Sequence, residues 1–186
     1  MEADLERVLV TREQIAARVD ELGRLISSDL ERLHHEDGGE VMLVPVLTGG
    51  MIFTADLMRR LPQKLRIRIV TVSSYHGRTI ESHGPALRGS LPGDLSGRHV
   101  LIIDDVLDSG RTLRLLRSEI EARGPRSIRT CVLLRKQKPS ARAYPCEYVG
   151  FEIPDEFVVG YGLDYDDYYR NLPHIGVLRD SETRRE

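Results

Sequence analysis

Residues 100–112 read VLIIDDVLDSGRT, and the reading of this stretch decides the fold. Val100 to Ile103 form a short run of apolar residues, the pattern of a strand buried on both faces in the middle of a parallel sheet. Asp104 and Asp105 follow at once. Side chains alternate along a strand, so the pair is placed at or just beyond its carboxyl end, pointing different ways. Asp108-Ser109-Gly110-Arg111-Thr112 is then a tight polar loop, and Leu113, Leu116 and Ile120 recur at helical spacing. The order is strand, loop, helix.

A loop that opens a helix at the carboxyl edge of a sheet is an anion site. Its N–H groups are unpaired, the helix dipole favours negative charge, and Ser109 and Thr112 add hydroxyl donors. Gly110 lets the backbone approach a ligand closely. The same stretch carries Asp104, Asp105 and Asp108, which repel phosphate. Both demands are met by a ligand with a phosphate at one end and hydroxyls or a metal at the other, which is the shape of a sugar phosphate. A Walker B strand is a competing reading, but it needs a G-x-x-x-x-G-K-[ST] partner loop, and the sequence has none. A plain acidic turn needs fewer special residues than this stretch supplies.

Working outward, the same order recurs upstream. Val41 to Leu47 is a buried strand, with Pro45 marking a distortion near its end. Thr48-Gly49-Gly50 is a tight turn, and Met51 to Leu61 is a helix stopped by Pro62. Leu65 to Ser74 is the next strand, half-exposed and then buried. Units of this kind imply parallel strands and right-handed crossovers. Before them, Leu5 to Val10 is extended, and Thr11 starts a helix with Gln14 as capping-box partner. Ile15, Val19, Leu22, Ile26, Leu30 and Leu33 make its apolar stripe, with Gly23 read as lying off it. His34 and His35 fall near its C-terminus, where positive charge is favoured, and Asp37-Gly38-Gly39 ends it. Tyr75 to Gly97 shows no sustained period, so it is read as a long loop of functional type.

Downstream, the helix from Thr112 is expected to run to Arg123, with Gly124 and Pro125 as its stop. Ser127 to Leu134 is a strand that delivers Lys136 to the same carboxyl edge. Tyr148 to Ile153 and Phe157 to Tyr161 are further short strands.

The chain has 186 residues, which predicts a single domain over 1–186 with a core of about residues 37–178. A net charge of -2 gives no electrostatic case for nucleic acid or a membrane surface. Cys131 and Cys146 are too few for a disulfide scaffold, and a reduced, cytoplasmic setting is expected. The acidic N-terminus does not read as a signal peptide, no apolar run is long enough to span a bilayer, and the polar SETRRE tail is expected to fray.

VLIIDDVLDSGRT resembles the signature of the type I phosphoribosyltransferases, which bind phosphoribosyl pyrophosphate (PRPP). The C-terminal stretch EYVGFEIPDEFVVGYGLDYDDYYRNLP is similar to the base-binding region of the hypoxanthine-guanine branch of that family. The resemblance implies an α/β fold with a mainly parallel central sheet flanked by helices. It also implies a small base-binding hood, drawn mainly from residues 136–177 with the N-terminal segment, and a flexible flap over 75–97. By the same resemblance, Asp104 and Asp105 hold the ribose hydroxyls, and Asp108, Ser109, Gly110, Arg111 and Thr112 hold the 5′-phosphate. Thr48, Gly49 and Arg170 meet pyrophosphate, with Thr48 standing where many relatives carry a basic residue. Lys136 donates to O6 of the purine, Phe157 stacks on it, Val158 pairs with its edge, and Asp164 lies near its 2-position. Ser74 and Tyr75 belong to the flap. The resemblance also implies Mg²⁺ as cofactor, liganded by Asp164 and, through water, Asp104. Asp108, at the mouth of the phosphate loop, is the candidate proton-transfer residue. The implied partners are PRPP, a 6-oxopurine base and further copies of the chain in a homodimer or homotetramer. A PRPP-sensing regulator on the same fold is the alternative, and the presence of Asp108, Lys136 and Phe157 favours the enzyme.

Overall fold

The computed structural model describes residues 1–73, 86–88 and 91–179. Ser74, Tyr75 and the SETRRE tail lie outside the described residues. The central sheet has the order β5-β4-β2-β6-β7-β8: β5 is Ala86–Arg88, β4 Val70–Ser73, β2 Glu40–Leu47, β6 Arg98–Leu107, β7 Ser127–Lys136 and β8 Tyr148–Ile153. A short β3, Leu65–Ile67, also pairs with β2. All neighbours are parallel except β4 and β5, which run antiparallel.

Each central strand is buried on both faces, and alternate residues feed separate cores. Val41 and Leu43 of β2 and Leu101 and Ile103 of β6 pack with the long first helix, α1 (Arg12–Asp37). Met42, Val44, Val100 and Ile102 pack on the other side with Leu113, Leu116 and Ile120 of α3 (Arg111–Glu121). This two-sided burial is why the strands read as continuous apolar runs.

Helix α1 carries the expected cap. Gln14 N–H donates to Thr11 Oγ1, the Gln14 side chain accepts from Thr11 N–H, and Gly38 closes the helix at φ 69. The stripe from Ile15 to Leu33 is buried as expected. Gly23 is a correction. It is buried, and a β-carbon there would lie 2.4 Å from Arg60 Cβ, so it sits where α1 meets the end of α2 (Met51–Met58).

The expected strand Leu65–Ser74 is divided at Arg68 and Ile69. Arg68 N–H still bonds Leu43 O at 2.9 Å, but Pro45, next along β2, has no N–H to continue the ladder. The proline thus distorts its neighbour, while β2 itself stays unbroken. Both downstream helices are shorter than read, α2 ending at Met58 and α3 at Glu121. The last expected strand shrinks to β9, Val158–Val159.

Part of the expected 75–97 loop is built into the fold. Residues 86–88 form β5, and Leu95 is fully buried, its N–H donating to Arg123 O at 2.9 Å. Leu91 packs against the same core. The spacing of Leu91 and Leu95 carried that anchor amid the glycines and prolines.

A second, antiparallel sheet joins the two ends of the chain. It runs β1-β10-β9, with β1 at Leu5–Val10 and β10 at Ile175–Leu178. Phe157, Asp164 and Arg170 lie in or beside the segment between β8 and β10, next to this sheet.

Candidate active site

Strand β6 does not stop before its acids. Its pairing with β7 continues through Val106↔Leu134 to Leu107↔Arg135, so Asp104 and Asp105 lie inside the strand. The expectation that they sit at or beyond its end is corrected, while alternation still sends them apart. Asp104 is 6% exposed and lines a cavity of about 80 Å³ together with Asp108, Ser109, Gly110, Arg111 and Thr112. Asp105 faces the Thr48–Gly50 turn, and a β-carbon on Gly49 would fall 1.8 Å from its Oδ2. Burial, and then the neighbouring Asp105 charge, push the Asp104 carboxyl well above the usual carboxylate range. Its Oδ1 accepts from Asp105 N–H at 3.0 Å. Hydroxyl donors or a cation arriving here would meet the buried Asp104 carboxyl.

The loop after β6 has the anion-binding form. Gly110 has φ 71 at the N-cap of α3, a conformation that favours glycine, and Ser109 Oγ accepts from Arg111 N–H at 3.4 Å. Arg114 donates to Ser109 O at 2.8 Å and its guanidinium stacks over the Tyr144 ring, which steadies the loop from behind.

Asp108 stands at the junction of this cavity and the next strand. Lys136, the last residue of β7, places Nζ 3.2 Å from Asp108 Oδ2 and 3.1 Å from Asp155 Oδ1. Lys138 also bonds Asp108 and lies 3.2 Å from Asp155 Oδ1. The Lys136 and then the Lys138 hydrogen bonds hold the Asp155 carboxyl below its usual range, and Asp108 holds the Lys138 ammonium above its own. Asp155 and Lys138 carried no role in the sequence reading. Their only signal was a second lysine and an acid flanking residues that were assigned.

On the other side, a β-carbon on Gly162 would come 2.3 Å from Gly49 O, so the Gly162 loop lies directly on the Thr48–Gly50 turn. Arg170 donates to Gly162 O at 2.9 Å and pairs with Asp164 at 2.9 Å and Asp167 at 2.8 Å. Thr48 is exposed, and the Leu47–Thr48 peptide is cis. Phe157 is 46% exposed, with Tyr165 edge-on to it at 5.5 Å. Val158 is buried in β9 and pairs with Val177.

The structure brings Lys136 to Asp108, and Asp105, Gly49, the Gly162 loop and Arg170 to one another, while Phe157 meets Tyr165 and Val158 pairs with Val177; they do not all share the 80 Å³ cavity. That cavity holds Asp104 and the Asp108–Thr112 loop, not Asp105, Lys136 or Phe157. Lys136 reaches it through Asp108, and Arg170 approaches it through Gly162, Gly49 and Asp105.

No group of three His, Cys, Asp or Glu suited to a metal stands together among the described residues. Mg²⁺ needs none, since it keeps waters and uses one or two carboxylates with substrate oxygens. Asp164, with each oxygen making one hydrogen bond or ion pair, retains lone pairs for such a role.

The chain is similar to known proteins in sequence and in fold. The phosphoribosyl transferase domain model matches residues 12–166. The hypoxanthine-guanine phosphoribosyltransferase of Mycobacterium tuberculosis is 45% identical over 175 residues, covering 94% of this chain and 87% of the relative. That of Streptococcus pneumoniae is 37% identical over 180 residues, covering 97% of each. A crystal structure of a hypoxanthine phosphoribosyltransferase from Staphylococcus aureus superposes with a TM-score of 0.86 at 37% identity, covering 100% of this chain and 97% of that one. With the strand–loop–helix around Asp104 to Thr112 and the two-sheet architecture in place, the chain belongs to the phosphoribosyltransferase family, among the hypoxanthine-guanine phosphoribosyltransferases.

Proposed function

We propose that the protein transfers the 5-phosphoribosyl group of PRPP to N9 of hypoxanthine or guanine. The bond from anomeric C1 to pyrophosphate breaks, the C1–N9 bond forms, and the purine proton leaves through N7. The observation that carries this reading is Lys136 bonded to Asp108 at the mouth of the phosphate-loop cavity. An ammonium and a carboxylate so placed can address O6 and N7 of one purine together.

The loop Asp108–Thr112 cradles the 5′-phosphate, and Asp104 and Asp105 take the ribose hydroxyls. Lys136 donates to a keto oxygen at position 6 and opposes an amino group, which would leave two donors facing each other. Phe157, with half its surface open, offers a stacking face, and the Val158 backbone pairs with the base edge. Gly49 and Arg170 receive pyrophosphate. Thr48 contributes through its backbone, having no cationic side chain. Asp164, with Asp104 through water, would hold Mg²⁺, which would supply charge neutralisation at the leaving pyrophosphate. The carboxylates near C1 favour its cationic character as the bond breaks. Asp108 takes the proton from N7 as N9 attacks.

Two measurements test the reading. In a panel of purines and pyrimidines with PRPP and Mg²⁺, hypoxanthine and guanine give nucleotide and adenine and pyrimidines do not. Asp108→Asn lowers turnover by about 10²–10⁴-fold, the usual contribution of a positioned acid or base, with PRPP affinity measured alongside. Unchanged turnover removes Asp108 from this role. The family resemblance further supports a homodimer or homotetramer, which light scattering on the purified protein measures directly.

A further inference from the structure

Lys136, Lys138, Asp108 and Asp155 alternate in sign around a small ring. Each lysine touches both carboxylates, and each carboxylate touches both lysines. The ring is neutral. Lys136 is the most enclosed member at 14% exposure, with Lys138 at 26%.

Lys138 is not on a wandering loop. Its N–H donates to Lys136 O at 2.8 Å, and its carbonyl accepts from Ala141 and Arg142 N–H, both at 3.1 Å. It is the N-cap of the short helix α4 (Pro139–Arg142), whose first residue is proline. Its backbone is thus fixed to the end of β7, and Ser140 Oγ donates to Asp108 O from the same turn at 3.4 Å.

The consequence follows from counting partners. Lys136 serves both Asp108 and Asp155. A purine that draws Lys136 toward its O6 removes a counter-ion from Asp108 while the ring of the base displaces water around that carboxylate. A carboxylate losing both solvent and its partner is costly. Lys138 is the one remaining cation already bonded to Asp108 among the described residues. An ordinary exposed ion pair would contribute little. What sets Lys138 apart is that it shares both acceptors with the lysine proposed to leave.

We propose that Lys138 is a positioning residue for the proton-transfer step: it holds Asp108 in place and charge-balanced when Lys136 turns to the purine, with Asp155 as the anchor common to both lysines. This rests on the assignment of Asp108 to N7 and Lys136 to O6.

The full-length enzyme is assayed with PRPP, Mg²⁺ and hypoxanthine, in steady state and in a single turnover. Lys138→Met lowers kcat and the single-turnover rate roughly tenfold, a fraction of the full acid–base contribution, and leaves KM for PRPP unchanged. Lys138→Arg, which can reach both carboxylates, recovers most of the rate. Asp155→Asn raises KM for the base, and combining it with Lys138→Met costs less than the two separate losses together. A wild-type single-turnover rate in Lys138→Met overturns the proposal. So does a Lys138→Arg variant that melts like the wild type yet is as slow as Lys138→Met. Asp108→Asn and Lys136→Met, run alongside, separate the layers. If both keep full turnover, the underlying assignment fails and takes the proposal with it. If both collapse while Lys138→Met does not, only the role of Lys138 is lost.

Discussion

At the scale of single residues, the site depends on which atoms are missing as much as on those present. Gly49 is the sharpest instance, because Asp105 Oδ2 occupies the space a β-carbon would need. Gly49→Ala therefore drives the Asp105 carboxylate or the turn away from its place. A displacement on the order of 1 Å at a positioned group costs about a hundredfold. The expected outcome is a fall of that size in kcat/KM for PRPP, with the far-ultraviolet circular dichroism of the wild type. Wild-type kinetics in this variant would show that the contact between Asp105 and Gly49 is dispensable. The grouping of Asp104 with Asp108 to Thr112 around one cavity was legible at this scale, because these residues fall in one short stretch of sequence. Lys138 and Asp155 were not, because the distance from Asp108 to Asp155 along the chain is closed only by the parallel pairing of β6, β7 and β8.

Elements were legible where one periodicity ruled and obscure where two elements met. The capping box at Thr11 and the stripe of α1 were plain from spacing alone. Gly23 was misread because a helical glycine shows no apolar signal, and its reason is a contact from another helix. Two effects compete at that position. Alanine in place of glycine favours an isolated helix by about 1 kcal/mol. Here the added carbon meets Arg60 Cβ at 2.4 Å, and that atom cannot swing away as the far end of a side chain could. Overpacking costs typically about 1–3 kcal/mol, so the clash wins. Gly23→Ala is expected to lower the urea midpoint without changing the slope, whereas a gain would mean that α1 and α2 can part at little cost. The split between β3 and β4 has the same origin in a neighbour, since Pro45 of β2 withholds the N–H that Arg68 and Ile69 would have used.

Over the whole molecule, the candidate site lies toward the carboxyl edge of the sheet, and a separate polar lock ties its amino edge. His99, buried at the start of β6, hydrogen-bonds Ser127 Oγ through Nδ1 at 2.8 Å and Asp37 Oδ1 through Nε2 at 3.0 Å. Asp37 also accepts from Gly39 N–H at 2.9 Å and pairs with Arg126 at 3.0 Å. The end of α1 is thereby joined to the starts of β6 and β7, far along the chain from each. The His99 bond first, then the Gly39 N–H and Arg126, hold the Asp37 carboxyl far below the usual carboxylate range. An acid lowered in this way stabilises the folded state wherever the unfolded chain is also ionised, above about pH 4, and the contribution fades as pH drops beneath that value. Replacing Asp37 by Asn keeps an acceptor for His99 but removes the titrating charge. The difference in unfolding free energy between the wild type and Asp37→Asn should be largest near neutral pH and shrink progressively below about pH 4. Urea titrations at several pH values measure it, and because every other acid is common to both proteins, their slopes cancel in the difference. A difference that stays constant from neutral pH down to the acid transition would mean that the Asp37 charge plays no part in joining the helix to the sheet.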